Sequence, residues 1–165
     1  MSITVRFNAF DSASVQSAIQ QLERLRMEQD DKVQNACMRI AEYGATRAQT
    51  DFSSAAYDGN NDVTVTAEPT ALGARVVASG EAVLFIEYGA GVTMGYGHPR
   101  QMGYGPGTYN PTYPTAANPN WRNPNGWYYA HGRKSWGNPP AAAMYHAEQD
   151  MYYRAYEIAN GVFDR

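Results

Sequence analysis

The stretch DSASVQSAIQQLERLRMEQDDKVQNACMRIAEYGATRAQT, residues 11–50, decides the fold. Val15, Ile19, Leu22 and Leu25 recur at spacings of four, three and three, and Val33, Ala36, Cys37, Ile40 and Tyr43 resume the stripe after the polar EQDDK. That period is one face of an α-helix. Asp11, Ser12 and Ser14 are candidate N-terminal caps, because a short polar side chain can accept a hydrogen bond from an otherwise orphaned N–H. The pattern predicts one long amphipathic helix ending around Thr50, with Asp30 as the place where a bend would fall. About 35 residues of helix is roughly 50 Å, long for a small globule and suited to packing against a partner.

On the N-terminal side, ITVRF alternates Ile3, Val5 and Phe7 with polar residues, predicting a short strand. On the other side, SSAAYDGNND is a loop. DVTVTAE, ARVVAS and AVLFIEYG then predict three strands, separated at Glu68-Pro69-Thr70 and Ser79-Gly80-Glu81. They would form an antiparallel meander whose apolar face covers the long helix. At the far end, Met144, Ala147, Met151, Ala155, Ile158 and Val162 recur at three and four and predict a second helix packed on the sheet. Tyr145, Tyr152, Tyr153 and Tyr156 widen its apolar stripe. Asn138 is its expected cap, Pro139 suits its first turn, and Gly161 its end. The fold class is α+β, with helices segregated on one face of an antiparallel sheet. A chain of 165 residues is read as a single structural domain.

Residues 89–138 interrupt this order. They hold ten Gly, six Pro, six Tyr and all three Trp, and they include the near-repeat MGYGHPRQMGYG. Gly at this density makes a unique backbone costly, and Pro breaks strand ladders. Disordered linkers are poor in aromatics, whereas this segment is rich in them, so it reads as an arm that orders against another surface. Charge divides the same way. The segment has Arg100, Arg122, Arg133 and Lys134 and no acid, whereas the remainder carries nine basic and sixteen acidic residues for a net −7. Tyr96, Tyr104, Tyr109, Tyr113, Trp121, Trp127, Tyr128 and Trp136 are the candidate partner-binding residues. Tyr and Trp give large contact area for few rotatable bonds. Basic residues among aromatics could also stack on nucleic acid, but four charges on an acidic protein are few for that purpose.

Catalytic signals are thin. His98, His131 and His146 share no metal-ligand spacing and read as plain polar contacts, so neither a metal nor a cofactor is expected. Cys37 lies on the apolar face and reads as a small buried hydrophobe, and one cysteine gives no disulfide framework. Glu87 ends the strongest predicted strand with no recognisable partner, which favours a structural or interfacial role over a general base. The Gly-rich GYGPG lacks the Gly-Lys-Ser/Thr of a phosphate loop. No apolar run reaches the roughly 18 residues of a membrane span, and no secretory leader is read at the N-terminus. The expected setting is a reducing one such as cytoplasm.

FIEYGAG, followed after a variable segment by GWYYAHGRKSWGNPPAAAMYHAEQDM, resembles the tail-completion, or head–tail joining, proteins of long-tailed bacteriophages. In that family a strand ends in Val/Ile-Glu-Tyr/Phe-Gly-Thr/Ala, and a later Gly-x-Pro-x-Pro-Phe-Met/Leu-x-x-Ala box opens the last helix. Ile86, Glu87, Tyr88, Gly89 and Ala90 match the first box. Gly137, Pro139, Met144 and Ala147 follow the second, with Ala141-Ala142-Ala143 where the family places Pro-Phe. Residues 127–134 are similar to the stretch that precedes the second box. The resemblance implies a non-enzymatic virion protein of the neck, assembled in host cytoplasm as a homo-oligomeric ring, commonly of six subunits. Its implied partners are head connector or adaptor proteins on one side and tail terminator or tail tube proteins on the other, with DNA in the channel as a further contact. A tail-terminator or minor tail protein has a similar build. A module binding peptide or glycan through the Tyr/Trp loop is the alternative of another class.

Overall fold

The computed structural model describes residues 4–6, 8, 10–57, 59–91, 94–95, 97–100, 127–128 and 134–164. The deciding stretch forms one continuous helix, α1, Ser12–Ser54. Its N-cap is Asp11, whose side chain accepts from the Ala13 N–H at 3.1 Å. At 43 residues it is about 65 Å long.

A hairpin follows, β1 Thr64–Thr70 and β2 Gly73–Ser79, antiparallel with Thr64 opposite Ser79 and Thr70 opposite Gly73. The turn falls at Ala71 and Leu72, beyond the predicted break at Glu68-Pro69-Thr70, because Pro69 is accommodated within the outer end of β1. The hairpin lies along α1. Gln49 brackets its base, donating from Nε2 to the Val63 carbonyl at 3.2 Å and accepting the Val65 N–H at 2.8 Å. Near the tip, the Gln34 amide donates to the Gly73 carbonyl at 2.8 Å, and the backbone of Gly73 sits against half-buried Cys37.

The predicted third strand is a helix, α2, Val83–Tyr88. A short apolar run does not by itself distinguish strand from helix, and two contacts decide here. The Asp62 carboxylate accepts from the Glu81 N–H at 2.8 Å and the Ala82 N–H at 3.0 Å, fixing the helix entry. Ala82 and Ile86, four apart, then enter the core together while Leu84 stays exposed. Thr4–Arg6 of the expected N-terminal strand form no strand, and Ile3 and Phe7 lie outside the described residues.

Two short strands, β3 Trp127–Tyr128 and β4 Lys134–Ser135, pair antiparallel. The last helix, α3, spans Ala143–Phe163 and runs past Gly161. It packs antiparallel along α1 rather than on the sheet. Arg47 bridges to Asp150 at 2.8 Å, the Arg154 guanidinium lies 5.7 Å from the Tyr43 ring centroid, and Gly44 abuts the Met151 thioether. A Cβ at Gly44 would collide with Sδ of Met151, so glycine sets how closely the helices approach. Ala147 and Val162 of the predicted stripe are buried, and Met144, Met151, Ala155 and Ile158 are half-buried. Tyr152, Tyr153 and Tyr156 do not widen that face; they are 78%, 75% and 79% exposed, because the interface with α1 is only one stripe wide.

The core is Ala48, Phe52, Val63, Ala82, Ile86, Ala143 and Ala147, where α1, α2 and α3 meet beneath the base of the hairpin. Phe52 and Ile86 are its large, fully enclosed side chains among small alanines. Phe52→Ala should therefore destabilise by about 3–5 kcal/mol in chemical denaturation, since alanine neighbours cannot collapse into the void. The two N–H donors, Ala82 first and then Glu81, hold the Asp62 carboxyl below the ordinary carboxylate range. A depressed native value means stability that is present above the unfolded pKa of roughly 4 and lost as pH falls through the native one. Asp62→Ala should flatten that acid limb in pH-dependent unfolding.

Candidate assembly site at the root of the arm

Glu87 occupies the last turn of α2 and is only 5% exposed. Its Oε2 accepts the Met144 N–H at 2.8 Å and its Oε1 the Tyr145 N–H at 3.2 Å, both in the first turn of α3. The local cap position of α3 is Ala142, in the left-handed region with φ 50° and no side-chain acceptor. The helix is thus capped from another element. A carboxylate there satisfies orphan N–H groups and meets the positive end of the helix dipole. Main-chain bonds complete the join, the Ala141 N–H donating to the Ile86 carbonyl at 2.8 Å and the Ala142 N–H to that of Glu87 at 3.1 Å.

This arrangement corrects the expectation that Asn138 and Pro139 open the helix. Asn138 is buried in the connector before it, where its side-chain amide donates to the Phe85 carbonyl at 2.8 Å. Its backbone pairs antiparallel with Ala90, at 2.9 and 3.1 Å. Pro139 is exposed. The start of α3 is set by Glu87, 57 residues before Met144, so no local cap signal could mark it.

The Ala90–Asn138 bridge closes the neck of the long insertion, and two glycines make it possible. Gly89 has φ 77° and Gly137 φ 95°, both in the left-handed region. A Cβ on Gly89 would come within 2.8 Å of the Asn138 carbonyl oxygen, and one on Gly137 would collide with that of Ala90. The chain leaving this neck docks back on α3. His98, 3% exposed, places Nε2 3.1 Å from Glu87 Oε1, while its Nδ1 accepts the Arg100 N–H at 3.1 Å. Those two contacts select the tautomer with its proton on Nε2. The imidazole packs between Tyr88, at a centroid distance of 4.5 Å, and Tyr145, at 6.0 Å. Arg100 reaches Glu148 at 2.5 Å and lies 5.3 Å from the Tyr145 ring centroid. The Glu148 carboxylate raises the Arg100 guanidinium further above its already high pKa.

The expectation that Glu87 has no partner is therefore overturned. Of the six motif residues, Glu87, Gly89, Gly137 and Met144 meet directly at this join, Tyr88 flanks it through His98, and Pro139 lies in the connector. Among the expected arm residues, Trp127 and Tyr128 form β3, and Trp136 is about half exposed, with the Lys134 ammonium 4.7 Å from its ring centroid. Tyr96, Tyr104, Tyr109, Tyr113 and Trp121 lie outside the described residues. His98 and Arg100 have structural roles the sequence does not signal, since each partner is a distant residue with no periodic relation to it. Among the described residues, no group of three or more His, Cys, Asp and Glu side chains could hold a metal, and no helix is long and apolar enough to cross a membrane. No known protein family, curated protein or solved structure matches this chain.

Truncating Glu87 would leave two N–H groups of α3 and one buried imidazole without their acceptor. Glu87→Ala should cost about 3 kcal/mol. Amide protection at Met144 and Tyr145 should fall further than it does in the middle of α3. Gln at this position keeps one acceptor oxygen and should lose less, and equal losses for the two variants would show that the cap is not the cause.

Proposed function

We propose that this chain is a structural protein of a phage neck, a ring subunit that joins the DNA-filled head to the tail through protein–protein contacts. The reading begins from the resemblance of two sequence boxes, FIEYGAG and the stretch around Gly137 to Ala147. The observation that carries it is the Glu87 contact with the Met144 and Tyr145 N–H groups, which makes the two boxes one physical unit. Residues in that unit have a physical reason to occur together, and a mechanical role for them supports the reading of a structural protein. Both oxygens of the only buried carboxylate among the described residues are committed to helix capping and to His98.

The insertion fits an assembly arm. It leaves and returns at the Ala90–Asn138 bridge, so the core beneath can fold independently of what the distal part meets. Its aromatic and glycine content suits contact with a neighbouring subunit, a head connector protein or a tail tube protein. A heterologous contact repeated around an axis closes a ring.

The decisive test is electron microscopy of particles from a phage lacking this gene. Separate DNA-filled heads and finished tails are the expected outcome, and intact virions would overturn the proposal. Deleting residues 102–125 should leave the circular-dichroism spectrum of the core unchanged while blocking complementation. That cut spares His98 and Arg100, which belong to the folded root.

A further inference from the structure

The β1–β2 hairpin has two edges, and they are finished differently. The Val65 N–H turns outward to Gln49 Oε1 at 2.8 Å rather than into the ladder. In an antiparallel pair such residues alternate, and each stands opposite another whose backbone also points away. Val65, Ala67 and Pro69 therefore face the outer edge of β1, and their opposites Ala78, Val76 and Ala74 face the outer edge of β2. The β1 edge is closed to a further strand, because Gln49 occupies its base and Pro69 has no N–H to give. The β2 edge carries neither device. The N–H and C=O groups of Ala74, Val76 and Ala78 meet no hydrogen-bond partner among the described residues. No described element other than β1 and α1 packs extensively on β2. An edge left in this state is a template for an added strand.

The chain also holds a strand pattern with nothing to pair with. Ile3, Val5 and Phe7 alternate with Thr4 and Arg6, yet Thr4–Arg6 lie in no strand. Edge and pattern cannot meet within one copy. Asn8 is tied to the first turn of α1, its N–H donating to Ser14 Oγ at 2.8 Å and its C=O accepting the Asp11 N–H at 3.1 Å. The near end of β2, Gly73, is held at Gln34, which lies about 30 Å along the helix from Ser14. Residues 3–7 fully extended span only roughly 17 Å. Reach excludes the same chain, which leaves another copy as the donor.

We propose that residues 3–7 of a second copy of this chain add a strand to the open edge of β2. The faces agree. Ala78 and Val65 pack against the core, and alternation puts Val76 and Ala74 on the same side. Neighbouring residues in a sheet share a face, so Ile3, Val5 and Phe7 set beside Ala78, Val76 and Ala74 join the covered side. Thr4 and Arg6 then turn to the exposed side with Glu68 and Arg75. A slip by one residue would reverse both assignments. Donor and acceptor lie on different parts of the molecule, so the contact is heterologous, and every copy can give one strand and receive another. The pairing does not rest on the neck reading and concerns the chain free in solution.

Sedimentation velocity on the full chain, up to several hundred micromolar, should show monomers passing to assemblies of two or more copies. Val5→Glu places a charge on the covered side of the added strand. Val76→Pro removes one outward N–H and none of the bonds to β1. Each variant alone should stay monomeric with an unchanged circular-dichroism spectrum. Mixed, the open edge of the first and the intact donor of the second should restore a one-to-one pair. Hydrogen exchange gives a readout that needs no proline variant. On association the amides of Ala74, Val76 and Ala78 should slow by roughly tenfold or more in the wild-type chain and not in Val5→Glu. A wild-type chain that stays monomeric, an assembly that survives Val5→Glu, a mixture of the two folded variants that does not pair, or association without protection at those three amides would each overturn the proposal. Phage complementation reports on the neck reading separately.

Discussion

The fold depends on one buried carboxylate. Glu87 ends α2, begins α3 and anchors His98 of the arm, so three segments distant in sequence are held by a single side chain. Burying a carboxylate is costly unless its lone pairs are satisfied. Here two helix N–H groups and an imidazole satisfy them, and the dipole of a 21-residue helix supplies opposing charge. Ala142 in the left-handed region is the local counterpart of that arrangement. A residue without a capping side chain, in an unfavourable backbone conformation, is tolerated because the surrounding contacts determine it.

The second constraint is α1 itself. The hairpin and α3 lie on it and are fixed to it by different means. Gln49 uses an amide to continue the hydrogen bonding of a strand edge, and Gly44 uses the absence of a side chain to admit Met151. Arg47 adds a charged link between the helices, its guanidinium pKa raised by hydrogen bonds to Asp150 and Asp51. Because the core residues of α1 are mostly alanine and glycine, the elements approach closely and bury area through backbone proximity rather than through large side chains. Phe52 is the exception on α1, and with Ile86 of α2 it occupies the junction where all three helices converge.

The long helix was legible because its period repeats over many turns and Asp11 is a local cap. The hairpin was legible because Thr64, Thr66 and their neighbours alternate. The failures have one physical origin, which is that tertiary partners decide short elements. Val83 to Ile86 favour a strand by β-branching and aromaticity, and Asp62, holding the N–H of Ala82 twenty residues later, fixes the entry to a helix instead. The start of α3 looks like Asn138-Pro139 locally, and Glu87 moves it to Ala143. Glu87, Tyr88, Gly89, Gly137 and Met144 were legible as candidates from the sequence boxes, but their meeting point was not. His98 and Arg100 follow no period and were visible only once the chain was folded.

The folded root also bears on what the arm can contact. Its composition suggested four positive charges available to nucleic acid. Arg100 is committed to Glu148 and to the Tyr145 ring, and Lys134 lies over Trp136. Arg122 and Arg133 lie outside the described residues. Affinity for nucleic acid grows with the number of phosphates neutralised, and each contact contributes to the salt dependence. Contacts made by Tyr and Trp depend on buried area and are much less sensitive to salt. With Arg100 and Lys134 engaged within the chain, the folded root itself has little positive charge left to offer a phosphate backbone.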